Sequence, residues 1–252
     1  MIVNPSERGW EVIYQRNHAM LAAALANAWG ADFKVHPPRL WTETIVAVAQ
    51  HDDEENFWSE DRSHLSDVGA PLDFRSEEGA VVLEKARYVT QQAKRQHRWI
   101  AALIARHHEH IYQDARKDNA DLDAFLTGES KNIATWLDDL DISKETLEAT
   151  YAIMRWSDRL SLILCQNQVP DMQRQLDITT GPDGEMIRVW KGASGDLHLS
   201  EWVFHQDEIA FDVESRLLTG SSYADGAELR QALDEAQVTL KQWRFCKEEA
   251  SN

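Results

Sequence analysis

Five residues in four separate stretches carry the side chains best suited to acid–base or metal chemistry. They are His18 in QRNHAML, His51 and Asp52 in AVAQHDDEENFW, His107 in ARHHEHIY, and Asp158 in RWSDRLSL. Placed on helices at about 100° per residue, three of them fall on apolar stripes, where a polar group needs a partner. His18 shares a face with Leu21, Ala22, Leu25 and Trp29. Asp158 lies among Leu147, Tyr151, Met154, Leu162 and Cys165, a costly place for an unpaired carboxylate. Ile100, Leu103, Ile104 and Ile111 define a third stripe centred on His107, with His110 to one side and His108 about 100° away. Each residue has a plainer explanation when taken alone. A histidine on an apolar face can be satisfied within the core, Asp158 can pair with Arg155 or Arg159, and His51-Asp52 can be a solvated helix end.

Taken together, imidazole and carboxylate donors suit a divalent ion such as Mn, Fe, Ni, Zn or Mg. An ion so held keeps open positions, and a water bound there can lose a proton near neutral pH and attack phosphorus. In that chemistry Asp52 would orient the water, and Asp53 or His107 would protonate the leaving oxygen. Arg16, Arg155 and Arg159 flank the motif segments and would supply positive charge to a phosphate, unless surface acids pair with them. Glu54 and Glu55 are expected on a loop surface. So are His36, His64, His97, His198 and His205, which form no second pattern of ligands. The sequence holds no HExxH, no Glu three residues before a histidine, no C-x-x-C, no GxSxG and no P-loop.

The elements that must position these groups are mostly helical. MIVNPSERGWEVIYQ reads as two short strands around a polar turn. Asn17 is placed to cap a helix that Gly30 would end. Further helices are expected over 40–51, over 77–112 with a possible break near Gly79, over 121–137, and from Ser143 to Gln166. After Pro170 the pattern changes to short β-prone runs separated by GPDG and GASGD turns. Asp225 and Glu228 form a capping box before AELRQALDEAQVTL, and QWRFC would make a last strand. The expected fold is mainly α (α+β): a helical domain with an N-terminal hairpin over 1–170, and an antiparallel meander with one helix over 171–252, packed on the helices.

Composition narrows the function classes. A net charge of −17, from 43 acidic against 26 basic residues, disfavours a nucleic-acid surface. It leaves room for a small phosphorylated ligand, because a bound metal reverses the local field. No apolar run approaches the roughly 18 residues that span a bilayer, and the N-terminus lacks the features of a signal peptide. Two cysteines suggest no disulfide framework, so a cytoplasmic protein is expected. Ten tryptophans call for burial or an interface, a homodimer among the possibilities.

His18, then His51-Asp52, then Asp158 on separate helices resembles the HD superfamily of metal-dependent phosphohydrolases, and SDRLSL is similar to that family's final Asp segment. The opening hairpin, the HDD loop, SDRLSLILC and SEWVF also resemble an uncharacterised bacterial family of HD-like proteins, over nearly the whole chain. The resemblance implies an HD-like helical bundle and a divalent ion held by His18, His51, Asp52 and Asp158. An intervening histidine, here His107, appears in branches with a second metal. The implied reaction is phosphomonoester or phosphodiester hydrolysis. A non-catalytic metal- or ligand-binding regulatory protein is the alternative, since HDDEEN has no nearby Lys or Arg for a phosphate. Oxidation at two irons would require further inward ligands.

Overall fold

Ile2–Ser6 (β1) and Gly9–Ile13 (β2) form an antiparallel hairpin, with Ile2 opposite Ile13 and Ser6 opposite Gly9. Gly9 has φ of +136°, and a Cβ there would collide with the Leu218 carbonyl oxygen, so only glycine lets β2 approach its neighbour. The computed structural model describes residues 1–30, 38–53, 64–76 and 79–247; His36, Glu54 and Glu55 lie outside them.

The helices follow as α1 (Gln15–Asn27), α2 (Trp41–Gln50), α3 (Gly79–Gln96), α4 (Arg98–Ile111), α5 (Ala120–Leu140) and α6 (Lys144–Cys165). Asn17 does not cap α1. The helix already begins at Gln15, and the Asn17 amide instead donates to the Glu214 carbonyl, tying the helix to the sheet. Gly30 is not a left-handed cap, for its N–H bonds the Val203 carbonyl. The long helical pattern over 77–112 breaks at His97, whose extended backbone and Nδ1 acceptor cap α4 through the Trp99 N–H. Ser143 caps α6 as its sequence suggests, accepting from the Thr146 N–H.

The remaining elements are β3 (Leu176–Thr180), β4 (Met186–Lys191), β5 (Leu197–Leu199), β6 (Glu208–Leu218), α7 (Gly226–Glu235) and β7 (Gln237–Cys246). Asp225 caps α7 through the N–H groups of Ala227 and Glu228. That helix is shorter than its sequence pattern, because Val238, Thr239 and Leu240 join β7. Ten-residue pairing with β6 outweighs the local helical preference there.

All seven strands form one sheet in the order β1-β2-β6-β7-β5-β4-β3. The parallel contact of β5 with β7 makes it mixed. This overturns the expected HD-like helical bundle with a small antiparallel appendage. The chain is 51% helix and 22% strand, and its curled sheet makes the fold α+β. The physical reason is non-local pairing: β6 joins the first hairpin on one side and β7 on the other. The apolar core runs continuously from Ile2 and Ile13 through Leu25, Leu103, Trp156 and Leu160 to Ile187 and Phe245.

Helix packing then sets the site. α1 packs on α2 and α6, and α4 packs on α2, α3, α5 and α6. Small side chains on the buried faces, Ala19, Ala22 and Ala26 of α1 and Ala101, Ala102 and Ala105 of α4, permit close approach.

Candidate metal centre

The four stretches converge. His18 projects from α1, His51 and Asp52 follow the end of α2, His107 comes from α4 and Asp158 from α6. Potential ligand atoms of His18, His51 and Asp52 lie within 4.8 Å of one another, as do those of His51, His107 and Asp158, so His51 joins two triads. The three imidazoles are buried, and the rings of His18 and His51 are 5.3 Å apart, those of His51 and His107 5.0 Å. The two carboxylates that face these rings are partly exposed, Asp52 by 22% and Asp158 by 13%.

The hydrogen-bond network assigns the protons. Ser161 Oγ donates to the Asp158 carbonyl at 2.8 Å, so it must accept from His18 Nδ1–H at 2.9 Å. A neutral His18 therefore turns a bare Nε2 toward Asp52 Oδ2, only 2.8 Å away. His51 repeats the arrangement. Its Nδ1–H donates to the Val48 carbonyl at 2.6 Å, leaving Nε2 3.1 Å from Asp158 Oδ1 and 3.7 Å from Asp52 Oδ2. Lone pairs meeting lone pairs in a buried site require either a second proton on each ring or a cation between the groups. Backbone- or hydroxyl-fixed Nδ1 with Nε2 directed inward is how protein imidazoles are oriented for a metal. Donor separations near 3 Å also match adjacent ligands about 2.1 Å from a common ion. The residues fit a divalent ion, with two carboxylates balancing its charge and neutral imidazoles completing the set.

Without a cation, protons carry that balance. Burial works against charge on His51, but Asp52 and Asp158 override it and raise its pKa to about 10. Burial also works against the carboxylates, and the surrounding histidines nevertheless hold Asp52 and Asp158 below the usual carboxylate range. Burial and His51 lower His107 to about 4, so without a cation its imidazole is neutral near pH 7.

Asp53, the other candidate proton donor, is paired with a cation. Arg16 holds it in an ion pair, both side chains being more than a third exposed. Arg155 is anchored through Nη2 to Thr180 Oγ1 at 2.7 Å, leaving Nε buried without an acceptor among the described residues. Arg159 has neither an ion pair nor a hydrogen bond among the described residues. Both arginines flank Asp158 on α6.

Several contributors were not apparent from the sequence. Gln15 Nε2 lies 3.3 Å from Asp52 Oδ2; the one available signal was its position one helical turn before His18. Tyr151 places its hydroxyl 3.4 Å from His107 Nδ1 beneath the Arg106 guanidinium. His108, expected well off the apolar stripe, is buried against Thr90, with 3.1 Å between His108 Nδ1 and Thr90 Oγ1. α3 covers a second face of α4, which no one-helix pattern reveals.

Burial, with His107 beside it, lowers His108 to about 3. The unfolded chain therefore takes up the proton first as pH falls. His108 contributes its full stability above about pH 6.5 and loses it progressively toward pH 3. Thermal midpoints of the metal-free protein should fall between pH 7 and pH 4.5, and Thr90→Val, which spares the ring's burial, should leave that slope in place.

The fold and site together define an α+β protein with a buried cluster of three histidines and two aspartates. The chain belongs to the family described as Protein of unknown function (DUF3891), whose model matches residues 1–220. No curated protein and no solved structure matches it.

Proposed function

We propose that His18, His51, Asp52, His107 and Asp158 hold a divalent ion (Mn, Fe, Ni, Zn or Mg), and that the protein hydrolyses a small phosphoester or nucleotide. The observation that carries this reading is the pair of inward-directed Nε2 atoms, on His18 and His51, lying 2.8 and 3.1 Å from a carboxylate oxygen. The motif resemblance to HD phosphohydrolases supports the reaction class. A bound ion would supply an activated water and polarise a phosphoryl oxygen.

The chain's own groups divide the remaining work. Asp52, steadied by Gln15, is the oxygen that orients the attacking water. The guanidinium groups of Arg155 and Arg159, which flank Asp158 on α6, supply the positive charge for the phosphate, a role Arg16 cannot share while paired with Asp53. His107 stays neutral beside His51 and completes the donor set. We place this activity in the cytoplasm: Cys165 and Cys246 are free thiols, and no helix among the described residues is long and apolar enough to cross a membrane.

The test is turnover of aryl phosphate mono- and diesters by the full chain with Mn, Ni, Co or Fe added. Activity should appear with at least one metal and fall by about two orders of magnitude or more in Asp52→Ala, which removes both ligand and water-orienting oxygen. Metal binding with no turnover of any ester would instead support a non-catalytic metal- or ligand-binding protein. The Arg16–Asp53 ion pair, which withdraws one cation from the site, favours that second reading.

A further inference from the structure

β7 is paired along its whole length on one side and almost nowhere on the other. β6 covers it from Gln237 to Cys246, whereas β5 meets it only where Leu197 faces Phe245. Residues 237–243 therefore form an open edge: among the described residues no strand pairs there, and alternate backbone N–H and C=O groups point outward. Residues 237–240 are all exposed, Val238 by 47% and Leu240 by 64%.

Proteins usually protect such an edge with charge, proline or a bulge. Here proline and bulge are absent, and the two cations of the strand, Lys241 and Arg244, are engaged by acids of the same chain. The stretch AQVTLKQWRFCK, from Ala236 to Lys247, contains no acid, glycine or proline, and its register with β6 is uninterrupted. The cation in the middle of the open edge, Lys241, is engaged by Glu11 at 2.6 Å. In a chain with 43 acidic residues, an acid-free strand is where two copies can approach without like charges in contact.

We propose that this edge is occupied by a second copy of the same chain, the two β7 strands pairing antiparallel about a twofold axis at Leu240. Leu240 is the midpoint of the open stretch. That register sets it against its own copy, Val238 against Gln242, Thr239 against Lys241, and Gln237 against Trp243. The contact is self-complementary, as a twofold interface must be, and joins the two sheets by strand addition. It is independent of the metal reading, since β7 contributes none of the five candidate ligands.

Sedimentation equilibrium of the full chain should show a weight-average mass rising with concentration from the monomer toward twice that value. Leu240→Asp should leave the protein monomeric at every concentration, with the thermal midpoint of dilute, monomeric wild type, because the side chain is exposed in the monomer. Leu240→Cys combined with Cys246→Ser should form a disulfide-linked dimer with oxidised glutathione. A wild-type protein that stays monomeric at millimolar concentration would overturn the proposal. So would a dimer that survives Leu240→Asp at undiminished strength.

Discussion

Asp158→Asn is expected to weaken divalent-metal binding by about 100-fold or more while leaving the metal-free fold intact. The substitution exchanges an anionic ligand oxygen for an amide of the same shape. Even residues that only support a metal ligand are worth about 10–100-fold in affinity, and Asp158 is placed to bind directly. In the metal-free protein the exchange is nearly balanced. Asp158 Oδ1 faces His51 Nε2 at 3.1 Å, and an asparagine N–H there can donate to the bare ring nitrogen. His51 then no longer needs its second proton, and its Nδ1–H stays on the Val48 carbonyl. Calorimetric titration with Mn or Zn, alongside urea unfolding of the chelated proteins, separates the two effects. Equal metal affinity in the variant would remove Asp158 from the ligand set. A large loss of metal-free stability would show that the Asp158–His51 ion pair is principally structural.

Adding a tightly bound metal should raise the thermal midpoint by roughly 5–10 °C, and a chelator should reverse the rise. A ligand at about 100 times its dissociation constant stabilises the native state by about 2.7 kcal/mol, and a chain of this size gains about 2–4 °C per kcal/mol. The cluster gives this linkage a physical origin. In the metal-free state burial opposes charge on His51, which Asp52 and Asp158 hold protonated to about pH 10. That contribution is complete below about pH 6.5 and disappears as pH rises through about 10. Metal binding should displace the His51 proton, so the stabilisation should be greater at pH 8 than at pH 6, and His51→Ala should abolish it. A rise that persists in His51→Ala would place the bound ion elsewhere.

The candidate site was more legible in the sequence than the fold that carries it. His18, His107 and Asp158 stand out because helical periodicity is local, and a polar group on an apolar stripe is visible in a dozen residues. Their convergence depends on α1, α2, α4 and α6 packing together, which the order of the motifs suggested but periodicity could not establish. The partners that set the protonation pattern, Ser161, Val48 and Gln15, were missed because each acts across a helix contact or through a backbone carbonyl. His108 was missed because α4 is covered on more than one face.

The sheet was harder to read. Each strand could be read as a short β-prone run, but the joining of β2 to β6 and the ten-residue length of β7 arise from pairing between distant segments. The VTL of β7 reads equally well as the end of α7 until β6 lies beside it. Local helix breaks behaved in the same way. The His97 side chain ends one long pattern by accepting the Trp99 N–H, a role its place inside a continuous helical pattern did not announce.

The measurement closest to the central claim is a crystal structure of the full chain grown with Mn, with anomalous data collected at the metal edge. The account predicts one or two anomalous peaks among His18, His51, Asp52, His107 and Asp158, with His51 Nε2 bound to metal. A crystal that shows no peak at millimolar Mn, with His51 Nε2 still bonded to Asp158 and His18 Nε2 to Asp52, would contradict it and make the cluster a proton-balanced ion-pair network.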